Sequence, residues 1–316
     1  MSTSKDWQKE YPSDQSATEE GLDDNSSLKK MLNLIESGKE VIDFGCATGY
    51  FSRLLQNKGC IVTGVEINPD AAKVAEQYCE KVIIADLDYV SVKDIFPEQK
   101  FDIAVFGDVL EHLRNPWRVL EETRHILKED GYVVASIPNI AHGSIRLALL
   151  DGRFEYTEFG ILDNTHLRFF TRETVKKLFE KAGYLADIVN RTKLDYLTDT
   201  ECLPKNNRHE FSEDIIRKIE NDPDCDTVQF IVRSYPHAHR HLQSQLQQTQ
   251  LELQHSQSQQ HQIQSELERS QSHLKDTQLE LQSHANRVKA METSKFWKLR
   301  KIWFRFKKFL NLSSDS

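Results

Sequence analysis

The stretch VIDFGCATGYFSRLL, Val41 to Leu55, decides the fold. EVIDFG is a short apolar run that reads as a buried strand. YFSRLLQNKG has helical spacing and a stop at Gly59. Asp43, Gly45, Ala47 and Gly49 sit at the junction. Two readings fit them. One is a tight strand-to-helix turn with no ligand. The other is a turn whose backbone a ligand approaches, with the N–H groups of the helix start turned toward it.

Working outward, strands and helices alternate. SLKKMLNLIE is a helix with Leu28, Met31, Leu32 and Ile35 on one face. CIVTGVEIN is a strand, and NPDAAKVAEQYCEK a helix with Asn68 as cap and Pro69 in its first turn. VIIAD and FDIAVFGD are strands. NPWRVLEETRHILK is a helix stopped near Gly131, and GYVVASIP is the next strand. TRETVKKLFEKAGY carries a capping box at Thr171 or Thr174 and a stop at Gly183. LADIVNRT and TVQFIVRSY are two further strands, with a short helix near Ser212 to Asn221 between them. Strands this apolar are covered by helices on both faces, so the pattern predicts an α/β, Rossmann-like doubly wound sheet of seven strands ending near Tyr235.

The chain has 316 residues, a net charge of −8 and five dispersed cysteines at 46, 60, 79, 202 and 225. The negative balance argues against nucleic acid as a partner. The cysteines lack metal-type spacing and fit a reducing cytosol. The sequence shows neither a signal peptide nor an apolar run long enough to span a bilayer. The expected location is cytoplasmic, with peripheral attachment at the inner face of the membrane as an option.

Acids close four successive strands: Asp43, Glu66, Asp86 (followed by Leu87) and Asp108. The turn reads Asp-x-Gly-x-Ala-x-Gly rather than Gly-x-Gly-x-x-Gly. This acidic rim suits a cationic or neutral ligand better than a pyrophosphate. The alternative is that each acid only caps a helix.

On VIDFGCATG, VTGVEIN, IIADLD, FDIAVFGDVLEHLRNPWRVL and LKEDGYVVASIPN, the chain resembles the class I S-adenosylmethionine-dependent methyltransferases over roughly residues 28 to 235. The resemblance implies a seven-stranded sheet with an antiparallel last strand, and S-adenosyl-L-methionine as cofactor. It implies that Asp43, Gly45 and Gly49 hold the methionine part, Glu66 the ribose, and Asp86 and Leu87 the adenine, with Asp108 near the methionine amine. Ala47, where the family often has glycine, and Ile67 complete the candidate cofactor set. A methyl group on a sulfonium needs no activation. The protein's tasks are alignment of an in-line attack and removal of any acceptor proton.

GDVLEHLRNP places Asp108, Glu111 and His112 within about one turn, and GILDNTHLRFFTRETV places His166 just before a helix. Three readings stay open. His112 or His166, helped by Glu111, is a general base. Alternatively Asp108, Glu111, His112 and His166 bind Mg²⁺ or Mn²⁺, which lowers the pKa of an acceptor hydroxyl. In the third, the histidines only fix loops. The metal reading is similar to the Glu-x-x-Glu-His motif of small-RNA 2′-O-methyltransferases and the equivalent motif of ubiquinone-pathway O-methyltransferases, with Asp108 one methylene shorter than the first Glu. Arg168 is a candidate for an anionic acceptor, and Phe169 and Phe170 for packing.

Beyond Pro236 the composition turns to Gln, Ser, His and Leu. Leu246, Leu253, Gln260, Leu267, Leu274, Leu281 and Val288 recur at heptad spacing, and TQLELQ occurs at 249 and again at 277. This favours a coiled coil and a homo- or hetero-oligomer. The second seam is poor, so a solvated single helix or disordered spacer is the alternative. In KFWKLRKIWFRFKKFL, Phe296, Leu299, Trp303, Phe306 and Leu310 form a stripe, with Lys298, Lys301, Arg305 and Lys308 roughly opposite. Such a segment, 295–310, suits an anionic membrane surface or a protein partner's groove. The whole appendage is similar to the tails of bacterial surface-glycan glycosyltransferases and their companion methyltransferases.

The expected division is a flexible segment 1–27, a methyltransferase domain 28–236, a helical stalk 237–293 and a basic amphipathic tail 294–316. The expected function is methyl transfer to a hydroxyl of a small-molecule or glycan-type acceptor. N- or C-methylation of a metabolite, or a non-catalytic scaffold with a cofactor-type fold, are the alternatives.

Overall fold

The computed structural model of the chain describes residues 19–309. Residues 1–18, most of the segment expected to be flexible, and 310–316, with Leu310 of the expected stripe, lie outside the described residues. So do the side chains of 238–252, which include Leu246. Two compact units are present, Met1–Gln243 and Ser244–Ser316.

In the first unit the order is α1 (Ser27–Leu32), β1 (Glu40–Phe44), α2 (Tyr50–Asn57), β2 (Ile61–Glu66), α3 (Pro69–Ala75), β3 (Lys81–Ile84), α4 (Val92–Ile95), β4 (Phe101–Gly107), α5 (Pro116–Thr123), β5 (Leu127–Pro138), α6 (Gly143–Leu150), α7 (Arg172–Lys181), β6 (Tyr184–Lys193), α8 (Glu213–Glu220) and β7 (Thr227–Pro236). The seven strands form one sheet in the order β3-β2-β1-β4-β5-β7-β6. β7 runs antiparallel to both β5 and β6, and the pairs from β3 to β5 are parallel. This is the expected α/β class I methyltransferase architecture.

The period of two along β1 sorts its side chains. Val41 packs with α1, α2 and α3 on one face, among Met31, Leu32, Leu55 and Ala75. Ile42 and Phe44 pack on the other face with α4, α5 and α7, where Phe44 stacks on Phe106 at 4.6 Å. Asp43 therefore shares the face of Val41 and lies under α2. α6 and α8 carry smaller clusters beside the sheet, around Ile145 and Ile161 and around Leu147, Tyr196 and Ile216.

Several boundaries differ from expectation. α5 stops at Thr123 and β5 starts at Leu127, so LKED is strand rather than helix. Tertiary pairing overrides helix propensity there: Leu127 pairs with Phe101, and Lys128 bonds Asp102 at 3.0 Å. α1 is shorter than its apolar pattern and is capped by Ser26. Ahead of it, Asn25 exchanges two hydrogen bonds with the backbone of Lys193, so the ordered chain begins before Leu28. In α7 Thr171 is the cap and Thr174 its reciprocal partner.

α9 (His237–Thr293) follows β7 directly, and α10 (Lys295–Phe309) follows α9. Leu253, Leu267, Leu274, Leu281 and Val288 of the heptad series are each at least half exposed in the single chain. Among the described residues no helix is long and apolar enough to cross a membrane.

Candidate active site

The carboxyl ends of β1, β2 and β4 meet at one crevice edge, because these strands are neighbours in the sheet. The Gly45–Gly49 turn is pinned there by β2. Gly45 N–H and Cys46 N–H both donate to Val65 O, at 2.7 and 3.2 Å. Glu66 supplies the firmest tie. Its Oε2 accepts the Ala47 N–H at 2.8 Å, and its Oε1 accepts the N–H groups of Ile67 and Asn68 at 2.9 and 2.8 Å. Asn68 then caps α3 through the N–H groups of Asp70 and Ala71. One buried carboxylate thus holds the turn after β1 and the start of α3 in register.

The glycines of the turn answer to protein neighbours as well as to any ligand. Gly45 has φ +66, and a Cβ there would lie 2.6 Å from Val109 Cγ2. At Gly49, φ +79, a Cβ would meet Ala75 Cα at 2.9 Å. Among the described residues, the non-glycine residues with positive φ are Ala47 (φ 49) and Asp108 (φ 54), both in the candidate cofactor set. Left-handed backbone at an alanine is costly and persists where surrounding bonds over-determine it. For Ala47 that bond comes from Glu66, and the conformation explains why glycine is common at this position.

Asp43 and Glu66 are buried and Asp108 is half-buried. Asp43 accepts the Ser52 hydroxyl at 2.7 Å. Burial pushes its carboxyl up to about 7, against the relief from Ser52 and with a further push from Glu66. Asp108 receives both of its bonds from Gln229 Nε2, at 2.7 and 2.8 Å, while its own N–H donates to Ser136 Oγ. Burial raises its carboxyl above the usual range as well. Low-dielectric acids of this kind favour a cationic ligand, whose charge restores their ionised form. Asp86 lies two residues past the end of β3, not on the strand, and its Oδ1 accepts the N–H of Asp88. Leu87 is buried with its carbonyl bonded to Arg118, and Ile67 is partly exposed.

Beyond β4, the residues Leu110–His112 form a 3₁₀ turn rather than an α-helical one. The backbone carbonyl of Glu111 accepts the N–H groups of Leu167 and Arg168, both at 2.9 Å, which draws the loop before α7 onto this turn. As a result Glu111, His112 and His166 each bring one ligand-type atom within 4.8 Å of the others. The imidazoles meet edge to face at 4.7 Å, and His166 Nε2 is 3.9 Å from Glu111 Oε1. His166 Nδ1 bonds Ile161 O at 3.0 Å. His112 Nδ1 lies 3.2 Å from Thr165 O and 3.1 Å from Thr165 Oγ1, whose own proton goes to Asp163. Backbone carbonyls thus face Nδ1 of both rings and orient them, as outer hydrogen bonds orient metal-ligating histidines. This donor set fits a divalent cation. Asp108, expected as a fourth ligand, is not among these three; its carboxylate accepts from Gln229. Arg168, expected to meet an anionic acceptor, instead bonds Arg114 O and lies 5.7 Å over Trp117. Phe170 is in the core, and Phe169 stands 6.3 Å from His166.

Gln229, Ser136, Thr165 and Val109 were not singled out in the sequence. They are ordinary strand and loop residues whose role exists only through contacts with segments distant in sequence.

A family model described as a methyltransferase domain matches residues 20–186, and the chain belongs to that family. Its class is that of S-adenosylmethionine-dependent methyltransferases. It is similar to the ubiquinone biosynthesis O-methyltransferase of Glaesserella parasuis serovar 5 (strain SH0165), 32% identical over 125 residues, which cover 37% of this chain and 52% of that protein. The chain spans about half the length of the curated relatives it matches. Among solved structures it is similar to a SAM-dependent methyltransferase from Archaeoglobus fulgidus, at 22% identity, 66% of this chain, 91% of that chain and a TM-score of 0.45. It is also similar to magnesium protoporphyrin IX methyltransferase from Synechocystis PCC 6803 with bound SAH, at 15% identity, 66% and 82% coverage and a TM-score of 0.44.

Two outcomes follow from this geometry. Glu66→Gln keeps one acceptor oxygen for the three N–H groups but loses the charge. It should weaken S-adenosylmethionine binding by about tenfold, the scale of one charged hydrogen bond, as read by calorimetry; unchanged affinity contradicts the role assigned to Glu66. For Asp43 the raised carboxyl means that the protonated form stabilises the ligand-free fold at low pH, a contribution lost as pH rises from the ordinary carboxylate range through about 7. A cationic ligand prefers the ionised form. Wild-type affinity for S-adenosylmethionine should therefore rise between about pH 6 and about pH 8 relative to Asp43→Asn, and parallel pH profiles count against the assignment.

Proposed function

We propose that this protein transfers the methyl group of S-adenosylmethionine to a hydroxyl of a small-molecule or glycan-type acceptor, with Glu111, His112 and His166 holding a divalent cation beside that hydroxyl. The convergence of their ligand atoms within 4.8 Å carries the reading. The name of the curated relatives, O-methyltransferases of ubiquinone biosynthesis, supports a hydroxyl acceptor.

In this account Asp43, Glu66 and Asp108 bind and orient the donor at the ends of β1, β2 and β4. Glu111, His112 and His166 position the acceptor at the same crevice. The acceptor oxygen attacks the methyl carbon in line, the carbon–sulfur bond breaks toward sulfur, and the sulfonium becomes a neutral thioether. The hydroxyl proton leaves the acceptor oxygen for solvent. A bound Mg²⁺ or Mn²⁺ would supply a lowered acceptor pKa. Holding both partners in place contributes roughly 7–11 kcal/mol of the barrier reduction.

The test has two arms. Mn²⁺ binding, read by electron paramagnetic resonance, should be present in the wild type and lost in Glu111→Gln and His166→Ala, with S-adenosylmethionine affinity kept. S-adenosylhomocysteine formation with hydroxyl acceptors should stop with chelator and return with Mg²⁺ or Mn²⁺. Turnover that ignores chelator replaces the metal reading by a histidine general base. Cofactor binding without turnover on any acceptor supports the scaffold alternative.

A further inference from the structure

α10 has a composition unlike the rest of the chain. KFWKLRKIWFRFKKF, Lys295–Phe309, contains Lys295, Lys298, Arg300, Lys301, Arg305, Lys307 and Lys308 and no acidic residue. At 3.6 residues per turn, Phe296, Leu299, Ile302, Trp303, Phe306 and Phe309 fall in one sector. Each of these six side chains is between 59% and 87% exposed. Lys301, Arg305 and Lys308 lie on the other side, together with Trp297 and Phe304, while Lys298 borders the apolar sector on one flank and Arg300 and Lys307 on the other. Two of these border cations rest against aromatic rings: Lys307 Nζ is 5.5 Å from the Trp303 ring, and Arg300 Cζ is 5.2 Å from Trp297 and 5.6 Å from Phe304.

We propose that α10 lies flat on an anionic lipid bilayer surface, its apolar sector at the boundary of headgroups and acyl chains and its basic residues on the lipid phosphates. The charge pattern selects this occupant. Cations of one sign flank an apolar stripe on both sides, so the partner must be apolar in the middle and uniformly negative at its edges. A bilayer containing acidic lipids has that profile along its whole surface. An RNA would satisfy the cations and leave six large apolar side chains in water. The ring of Trp303, at the edge of the apolar sector, matches the headgroup level, where indoles concentrate. The helix cannot cross the membrane, since no apolar run of sufficient length exists in the described chain. Long Lys and Arg stems let the helix sink while their charges stay in the headgroup layer. This inference is independent of the acceptor proposed above: it assigns a place of work to the enzyme, not a reaction.

The experiment uses the full chain and floats it with vesicles of phosphatidylcholine alone or of phosphatidylcholine with phosphatidylglycerol. Binding should be strong only to the mixed vesicles and should weaken with added salt without vanishing, because the apolar contribution is not screened. Each basic residue removed should lower partitioning by about fivefold, which corresponds to about 1 kcal/mol per charge. Lys301→Glu with Arg305→Glu should therefore release the protein. Trp303→Ala with Phe306→Ala should release it too while leaving the charge intact. Both double variants must retain wild-type affinity for S-adenosylmethionine, which shows that the catalytic unit is folded. Equal binding to neutral and mixed vesicles, or unchanged flotation in either double variant, overturns the proposal. So does an oligomer of the full chain that depends on residues 295–309 and that mixed vesicles do not disrupt, because a second copy would then cover the stripe.

Discussion

The Glu66 carboxylate is the contact on which the rest of the site depends. It accepts N–H groups from Ala47, Ile67 and Asn68 and so joins the turn after β1, the end of β2 and the start of α3. Each bond is charge-assisted, and those from Ala47 and Asn68 are shielded from water, the condition in which such bonds are strongest. Without it, the buried N–H groups of Ala47 and Asn68 would lose their acceptor, each at a cost of about 1–3 kcal/mol, and the positive φ of Ala47 would lose that support. Fold and site are therefore not separable here. The residue expected to meet the ribose is also the residue that shapes the turn expected to meet the methionine part.

Electrostatics connects that scaffold to the chemistry. Asp43, Glu66 and Asp108 close β1, β2 or β4, and burial raises the carboxyls of Asp43 and Asp108. A site that concentrates acids in this way is poorly matched to phosphate and well matched to a sulfonium. Past the end of β4 the supply of groups changes: Glu111, His112 and His166 form a compact set whose donor atoms fit a cation. The two bonds from Leu167 and Arg168 to the Glu111 carbonyl join the turn that follows β4 to the loop that precedes α7.

Much of the fold was legible because β1 to β5 are apolar runs separated by capped helices, and Asn68, Asn115 and Thr171 mark helix starts through chemistry that acts within a few residues. The acids at strand ends were legible for the same reason. What was not legible depended on contacts between distant segments. LKED carries no local mark of a strand and becomes one by pairing with β4. The hold of Gln229 on Asp108 spans the sheet, and no pattern within GDVLEHLRNP reveals it. Arg168 looked available in sequence and is committed to Arg114 and Trp117. The steric need for Gly45 comes from Val109, which no pattern within the turn reveals.

A crystal structure of the protein with S-adenosylhomocysteine tests the central claim most directly. The account predicts the ligand in the crevice at the ends of β1, β2 and β4, its ribose hydroxyls within hydrogen-bond distance of Glu66 while Glu66 still accepts the Ala47 N–H. A ligand seated elsewhere, or a Glu66 side chain displaced from the turn to reach it, would contradict the account.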